Sequence, residues 1–559
     1  MLQPMHEHLP RSRPGALRSR LVVGPLTLAL ALALLSAGCG GKSGGDAAVL
    51  RIGTLGTTAS LNMFIGGEYA SYKQFYPTLV QLNVDTLKPQ PSFATSWTAS
   101  ADRRTWTFHT RPNAKWSDGQ PLTAKDVAFT FNMIVRLGSG PTASWFSYVK
   151  DLVHADTPNP NTLVLHYKTP SSEVISNLAG DVPILPQHVW APIAAGDGKR
   201  IMTFANEPRK GRPVVSGGPF MASQHKKDEF ELFARNPNAY AKPKAAGVGV
   251  KFFGNPDALV TALKSGQIDA GYDVPPTAVK TLQSAGLVVK STPTIIYDDL
   301  AINPNPKKPK HRELLDAKVR QAFDAAIDRQ AIVKVIYLGH AQPGASIITP
   351  AIGEWHDASI KAPAFDPGKA NRLLDTAGYK RGAGGVRMAQ GHPMAYEVLI
   401  TAESAREFEM LQTQFQDIGV KLTSRSLDKE AFSAALSAPE NKYLSYDLAL
   451  TSGGGGGYDP DFALKGLTCS ARMFGSGGGY CNPAYDKLYA RQAAVGGPAR
   501  VRLVHEMQGI IAADRPVLVL AYQDHIDAWS KQWTGFRQAI DGIFSHTTAG
   551  LLTGVERAG

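Results

Sequence analysis

One apolar run stands out at the start of this chain: Leu21 to Leu35, 15 residues, preceded by Arg11, Arg13, Arg18 and Arg20. No later run is long enough to span a bilayer. That contrast constrains the fold more than any other feature. A basic segment, an apolar core and the small residues Ser36-Ala37-Gly38 read as an export signal. The run is too short and too Ala-rich to be a comfortable membrane span. Everything after it must therefore bury its apolar residues in cores of its own.

Cys39 follows the small residues directly, and the stretch resembles the lipobox of a bacterial lipoprotein. The resemblance implies cleavage before Cys39, lipidation of its sulfur and attachment to a membrane through the acyl chains. One departure is present: the aliphatic residue sits at Leu35, and Ser36 takes its usual place. The alternative is a plain secretory signal with an incidental Cys. Residues 1–38 are read as the signal and 39–48 as a flexible Gly/Ser-rich tether.

About 521 residues would remain after cleavage, too many for one simple core, so two or three domains are expected. A hydrophobic content of 43% and a charged content of 19% describe a globular protein. Loss of the leader's four Arg and of Glu7 lowers the net charge from +12 to +9. The remaining charge is dispersed. Its densest cluster, Lys307-Lys308-Pro309-Lys310-His311-Arg312, is short and Pro-broken and reads as a solvated loop rather than a nucleic-acid or lipid site. Of the three Cys, Cys469 and Cys481 lie 12 apart across a Gly-rich loop. In an oxidising compartment a disulfide there would stabilise by about 3 kcal/mol in the loop-entropy model; two free thiols are the alternative.

Short strands and helices alternate along the rest. Val49–Gly53 and Trp106–Thr110 read as strands, and Ile268-Asp269-Ala270 enters another. Thr123-Ala124-Lys125-Asp126 is a capping box, before a helix with Val127, Phe131 and Ile134 on one face. Helices are expected at 257–265, over 316–337 as one amphipathic element, and from Asp366-Pro367 to Gly378. No fixed repeat appears, and the alternation argues α/β lobes.

Several blocks resemble one family. Trp106-Thr107-Phe108-His109, Ala114-Lys115-Trp116-Ser117-Asp118-Gly119, Pro121-Leu122-Thr123-Ala124 and Asp126-Val127 are similar to a hallmark of bacterial extracytoplasmic solute-binding proteins of family 5, the peptide/nickel type that feeds ABC importers. Ile184–His188, Gly217–Phe220, Arg235-Asn236-Pro237, Ala262–Asp269, Val319–Ala322 with Ile327–Arg329, and Asp366–Tyr379 follow in family order. The resemblance runs from about Val49 to Phe536. It implies an α/β fold of the periplasmic-binding-protein type II (cluster C), with two lobes that close on a ligand and an extra inserted domain. One lobe would take 49–75, 215–302 and 526–559, the inserted domain 76–214, and the second lobe 303–525. It also implies a peptide or peptide-like ligand, a permease and ATPase complex as partner, no cofactor, no nucleic acid and a monomeric state.

Peptide-binding members offer an aromatic residue and an Asp just before an Asp-Pro element, and the Asp pairs with the ligand's α-amino group. Here Asp459-Pro460-Asp461 is present, but the carboxylate position falls on Gly456 and the aromatic position near Gly453. Tyr458 and Asp459 could substitute by a shift in register; Asp459 as a turn or helix cap is the structural alternative. Tyr297, Asn303 and Trp355 are further candidates where the chain would cross between lobes or face the cleft.

Rival functions find little. The one Gly-x-Ser-x-Gly match, Gly41–Gly45, lies in the tether without the strand and helix a nucleophile elbow needs, and it fails as a phosphate loop for the same reason. His505-Glu506 has Gly509 where a second zinc-binding His would stand, and no Cys/His cluster has metal spacing. The scattered His give no support to nickel uptake. The acidic pairs Asp298-Asp299 and Asp459/Asp461 carry no sequence sign of tuned pKa values. A secreted hydrolase and a ligand-sensing receptor that signals without transport are the alternatives.

Overall fold

Two long strands, Val288–Ile302 and Val517–Trp529, pair antiparallel and tie together two groups of shorter strands. The computed structural model describes residues 48–66, 69–149, 151–209, 211–436, 444–454, 458–471, 479–545 and 549–559. The export signal, Cys39 and Gly456 lie outside the described residues, as does all of the tether but Ala48.

On one side of the long pair, Val49–Thr54 sits parallel between Gly247–Phe252 and Ala270–Gly271, and the sheet continues through Phe230–Arg235 to Phe220–Lys226. On the other side Ala395–Ile400 sits parallel between Lys421–Ser426 and Leu448–Gly454. Both long strands cross the whole junction. Leu448–Gly454 pairs with the later half of Val288–Ile302, and Ala270–Gly271 pairs with the end of Val517–Trp529. Their mutual register shifts between Pro293 and Tyr297 and again between Asp298 and Asp299. Pro293 offers no N–H to the ladder there, which is a physical reason for the first irregularity. A separate antiparallel sheet is built from Ala94–Ala99, Thr105–Thr110, Thr162–Tyr167 and Leu152–Asn159.

The cores follow these groups. Leu50, Ile52, Phe75, Trp116, Phe131 and Phe233 belong to one cluster; Val319, Phe323, Leu374, Phe408, Phe415 and Leu450 belong to another. Each such side chain contributes about 1.5–3 kcal/mol on burial.

Local signals hold where they are strongest. The helix Ala124–Leu137 begins at a capping box: Asp126 accepts from the Thr123 N–H at 2.9 Å, and Val127, Phe131 and Ile134 are buried. Pro256–Lys264 starts at Asn255 and Pro367–Thr376 at Asp366, each side chain accepting a backbone N–H of the first turn. The expected single helix over 316–337 is instead two, Ala317–Ala325 and Arg329–Val335. Asp328 caps the second by accepting from the Ala331 N–H at 2.9 Å. The buried Arg329 pairs with Asp324 and donates to the Val519 carbonyl at 2.7 Å, which holds the break. The basic cluster at 307–312 also departs from expectation: Lys308 is 4% exposed and pairs with Asp447. Cys469 and Cys481 are joined by a disulfide. No helix of the described residues is long and apolar enough to cross a membrane.

Candidate functional site

Asp459 begins the Asp-Pro-Asp element just before the helix Asp461–Lys465, and it is buried. Arg500, from the helix Gly497–Asp514, grips it with two parallel bonds: Nη1 to Oδ2 at 2.6 Å and Nη2 to Oδ1 at 2.7 Å. Oδ1 also accepts from the Asp461 N–H at 2.9 Å. Burial alone would push the Asp459 carboxyl up, but the Arg500 charge and its bonds outweigh that and hold it below the usual carboxylate range.

The ion pair has an ordered surround. The Arg500 guanidinium lies over the Trp355 ring, 4.9 Å from its centroid. Its Nε donates to Gln492 Oε1 at 2.7 Å, and Gln492 Nε2 donates to Asp461 Oδ1 at 3.0 Å. Tyr489 donates to Asp461 Oδ2 at 3.3 Å. From the segment that follows the four-stranded sheet, Ser176 Oγ donates to Asp459 Oδ2 at 2.8 Å. Ser172 Oγ donates to the Ala493 and Val495 carbonyls at 2.8 and 2.5 Å. Residues about 280 to 320 positions apart thus meet across one polar seam.

Glu173 stands in the same seam, and its Oε2 has no hydrogen-bond partner among the described residues. Burial, then the charge of Asp461, pushes its carboxyl up to about 7. Burial and then Asp459 push Asp461 up as well. Three carboxylates therefore share one guanidinium.

The other sequence candidates separate into near and far. Tyr458 is buried beside this seam, and a small cavity of about 10 Å³ is lined by Ile295, Ile348, Ile352, Gly454, Asp459 and Ala463. Tyr297 lies opposite Gly453 in the strand register, and its ring occupies the space a side chain at 453 would need. Gly454 has φ +95°, a conformation side chains rarely adopt. Asn303 is buried away from the seam: its Nδ2 donates to the Leu444 and Tyr446 carbonyls, both at 2.7 Å. It anchors the end of a long strand, a backbone role rather than a ligand one. Sequence reasoning misses Glu173, Ser176 and Arg500. No motif marks them, because each acquires meaning only from a partner distant in the chain.

A larger cavity of about 340 Å³ lies elsewhere, among residues 73–92, 217–241 and 535–554. It does not adjoin the Asp459–Arg500 pair. The seam, where distant segments meet over buried charge, is the better candidate.

Two mixed α/β groups joined by two long strands match the type II periplasmic binding-protein fold. NikZ of Campylobacter jejuni, solved in complex with Ni(L-His), superposes with a TM-score of 0.75 at 20% identity over 91% of this chain and 99% of that one. The chain belongs to the bacterial extracellular solute-binding proteins, family 5, whose model ("family 5 Middle") matches residues 88–475. This is a family of binding proteins, not of enzymes. A Brucella ovis protein described as an ABC transporter peptide-binding protein is 28% identical over 61% of this chain and 61% of that one, so the match spans less than two thirds of that relative. A dipeptide-binding protein of Pseudomonas aeruginosa is 27% identical over 84% of this chain and 88% of that one.

Proposed function

We propose that this chain captures a peptide or peptide-like small solute between two closing lobes and delivers it to the permease and ATPase of an ABC importer. The family match and the relatives' names support the importer role. The observation that carries the closing mechanism is the polar seam between the inserted domain and lobe II: Ser176 of the first meets Asp459 of the second at 2.8 Å, next to a buried ion pair. In the proposed division, lobe I is 49–75 with 215–302 and 526–559, the inserted domain is 76–214, and lobe II is 303–525.

Asp459 and Arg500 neutralise each other, and no aromatic residue occupies position 453. A free α-ammonium therefore gains no carboxylate from Asp459. A lost charge-assisted hydrogen bond costs about 1.5–3 kcal/mol, roughly ten- to a hundredfold in affinity. Simple di- and oligopeptides are expected to bind weakly, and N-acetylation should cost nothing. Calorimetry with matched free and acetylated peptides, with small-angle scattering to follow closure, tests this. Submicromolar binding that requires a free N-terminus would refute the specificity. Tight binding of any verified ligand without a fall in radius of gyration would refute the closing mechanism.

The lipobox-like context of Cys39 supports an extracytoplasmic, lipid-anchored protein, in the periplasm or at the outer face of the cell membrane. Cys39→Ser is expected to release the protein from membranes or to leave an uncut precursor. Unchanged membrane retention, with a cleaved but unlipidated N-terminus, would count against it.

A further inference from the structure

We propose that His311, Glu313 and His392 form a binding site for one divalent transition-metal ion of the zinc type, separate from the solute seam. The site rests on no assumption about the solute. Its residues come from two places: His311 and Glu313 from the turn around Arg312–Leu315, and His392 from the hairpin Met388–Ala389 with His392–Pro393. The sequence hides it, because the two His are far apart in the chain.

The geometry is that of ligands around an ion rather than of a hydrogen-bonded cluster. One ligand atom from each of the three residues lies within 4.8 Å of the others. His311 Nδ1 is 3.4 Å from Glu313 Oε1, and His392 Nε2 is 3.6 Å from Glu313 Oε2. The second separation is too long for a hydrogen bond and the first is marginal. Tetrahedral zinc, with bonds of about 2.0–2.1 Å, sets its ligand atoms about 3.3 Å apart. The Glu313 side chain is 0% exposed, and neither its Oε2 nor His311 Nδ1 has a hydrogen-bond partner among the described residues. Oε2 faces His392 Nε2 and Oε1 faces His311 Nδ1; a buried carboxylate with one oxygen unbonded, beside an unbonded imidazole nitrogen, is an unfilled requirement.

The outer contacts are those that orient metal ligands. Tyr396 donates to Glu313 Oε1 at 2.8 Å and leaves Oε2 open. His311 Nε2 faces Asp447 Oδ2 at 3.6 Å, and His392 Nδ1 faces the Pro393 carbonyl at 3.2 Å. The Pro393 contact favours a free lone pair on His392 Nε2, the nitrogen facing Glu313; the Asp447 separation is ion-pair range and not a hydrogen bond. The Lys308 ammonium is paired with Asp447. His311 holds φ 54° and ψ 47°, a left-handed conformation uncommon for a side-chain-bearing residue, and its ring stands edge-on to His392 with centroids 5.3 Å apart. Side-chain exposure of 20% at His311 and 37% at His392 leaves an entry path and room for a water as fourth ligand.

A second group, His154, Asp156 and His166, is different. All three side chains are at least 36% exposed, and Asp156 already lies 2.9 and 3.2 Å from the two imidazoles, at hydrogen-bonding or ion-pair range. It serves as the control.

The test is equilibrium dialysis of the untagged full-length protein against Zn²⁺, with metal analysis, and Co²⁺ absorption as a report on geometry. One Zn²⁺ per chain is expected, with the visible bands of tetrahedral Co²⁺ and a rise in melting temperature on loading. His311→Ala/His392→Ala and, with shape retained, Glu313→Gln should each weaken binding more than about tenfold and remove the Co²⁺ bands. His154→Ala/His166→Ala should change neither. Circular dichroism confirms that each variant is folded. Absence of zinc uptake by the wild type, or equal affinity in a folded Glu313→Gln variant, would overturn the site and leave the cluster as ion pairs only.

Discussion

Replacing Arg500 by Met is expected to destabilise the folded protein by about 3–5 kcal/mol at pH 8, the usual cost of breaking a buried pair from one side. The side chain is 3% exposed, and its loss would leave Asp459, Asp461 and Glu173 facing one another with only the more distant charge of Lys465 acting on Asp461. Ser176 and the Asp461 N–H cannot supply the missing charge. The contribution of Asp459 to the pH dependence should also change sign, so that the variant loses stability more steeply than the wild type as pH rises. In the wild type the Asp459 pKa is depressed, so its contribution is present above the ordinary carboxylate pKa and is lost as pH falls through the lower folded value. In Arg500→Met burial dominates, the Asp459 pKa rises, and the variant should be least stable at high pH. Calorimetric melts of both proteins between pH 5 and 8 decide it. A loss below about 1 kcal/mol at pH 8 would mean that the pair is no better than a solvated one. Asp459→Asn with Arg500→Met should recover part of the loss, because the remaining group is neutral.

Glu407→Gln is expected to stabilise the protein by about 2–4 kcal/mol at pH 8.5 and to change little at pH 5. Glu407 lies in the helix Ala405–Asp417, and its Oε1 has no hydrogen-bond partner among the described residues. Burial, then the charges of Asp298 and Asp299, pushes its carboxyl up to about 8. Burial also lifts Asp298 to about 6 against the Ser452 bond, and lifts Asp299 well above its ordinary value. Tyr337 and Ser452 donate to Asp298, and Thr451 donates to Asp299. No Lys or Arg contributes to the shifts of these three groups. A folded pKa above the unfolded one means that the folded state holds a proton the unfolded state releases. Stability is then full below about 4.5, falls as pH rises toward about 8, and is flat beyond. At about 1.4 kcal/mol per unit, a shift of this size supports the stated range after allowance for coupling among the three acids. Gln keeps the shape and removes the titration. Melting curves of the two proteins that remain parallel from pH 5 to 8.5 would show that Glu407 is ionised throughout. Asp298 and Asp299 lie at a register shift of the long strand, so the same titration should loosen the junction between the two strand groups.

Much of the framework is legible in the order of residues. Thr123 with Asp126, Asn255 before Pro256 and Asp366 before Pro367 are local signals: a side chain within three residues accepts a backbone N–H, and no distant partner is needed. Ordered family blocks reach the fold in the same way, because turns and caps recur in sequence order. The failure at 316–337 has a tertiary cause. The apolar period runs through Asp328, but the cap and the reach of Arg329 to Val519, 190 positions away, break the helix.

The candidate site is legible only in outline. Asp459 stands out because Asp-Pro-Asp is a local pattern, and that pattern does not separate a ligand group from a structural one. Arg500, 41 positions later, supplies the bidentate partner, and Ser176, 283 positions earlier, supplies the contact across the seam. Asp298 and Asp299 read as an ordinary pair, while their raised pKa values come from burial beside Glu407, over 100 positions on. Residue order is enough for the elements whose stabilising partner is a few positions away, and for the class of fold they spell in series. Which charges share a dry space is set by the folded arrangement alone. Desolvation and Coulomb energy depend on distance in space and on exclusion of water, and neither quantity is carried by position in the chain.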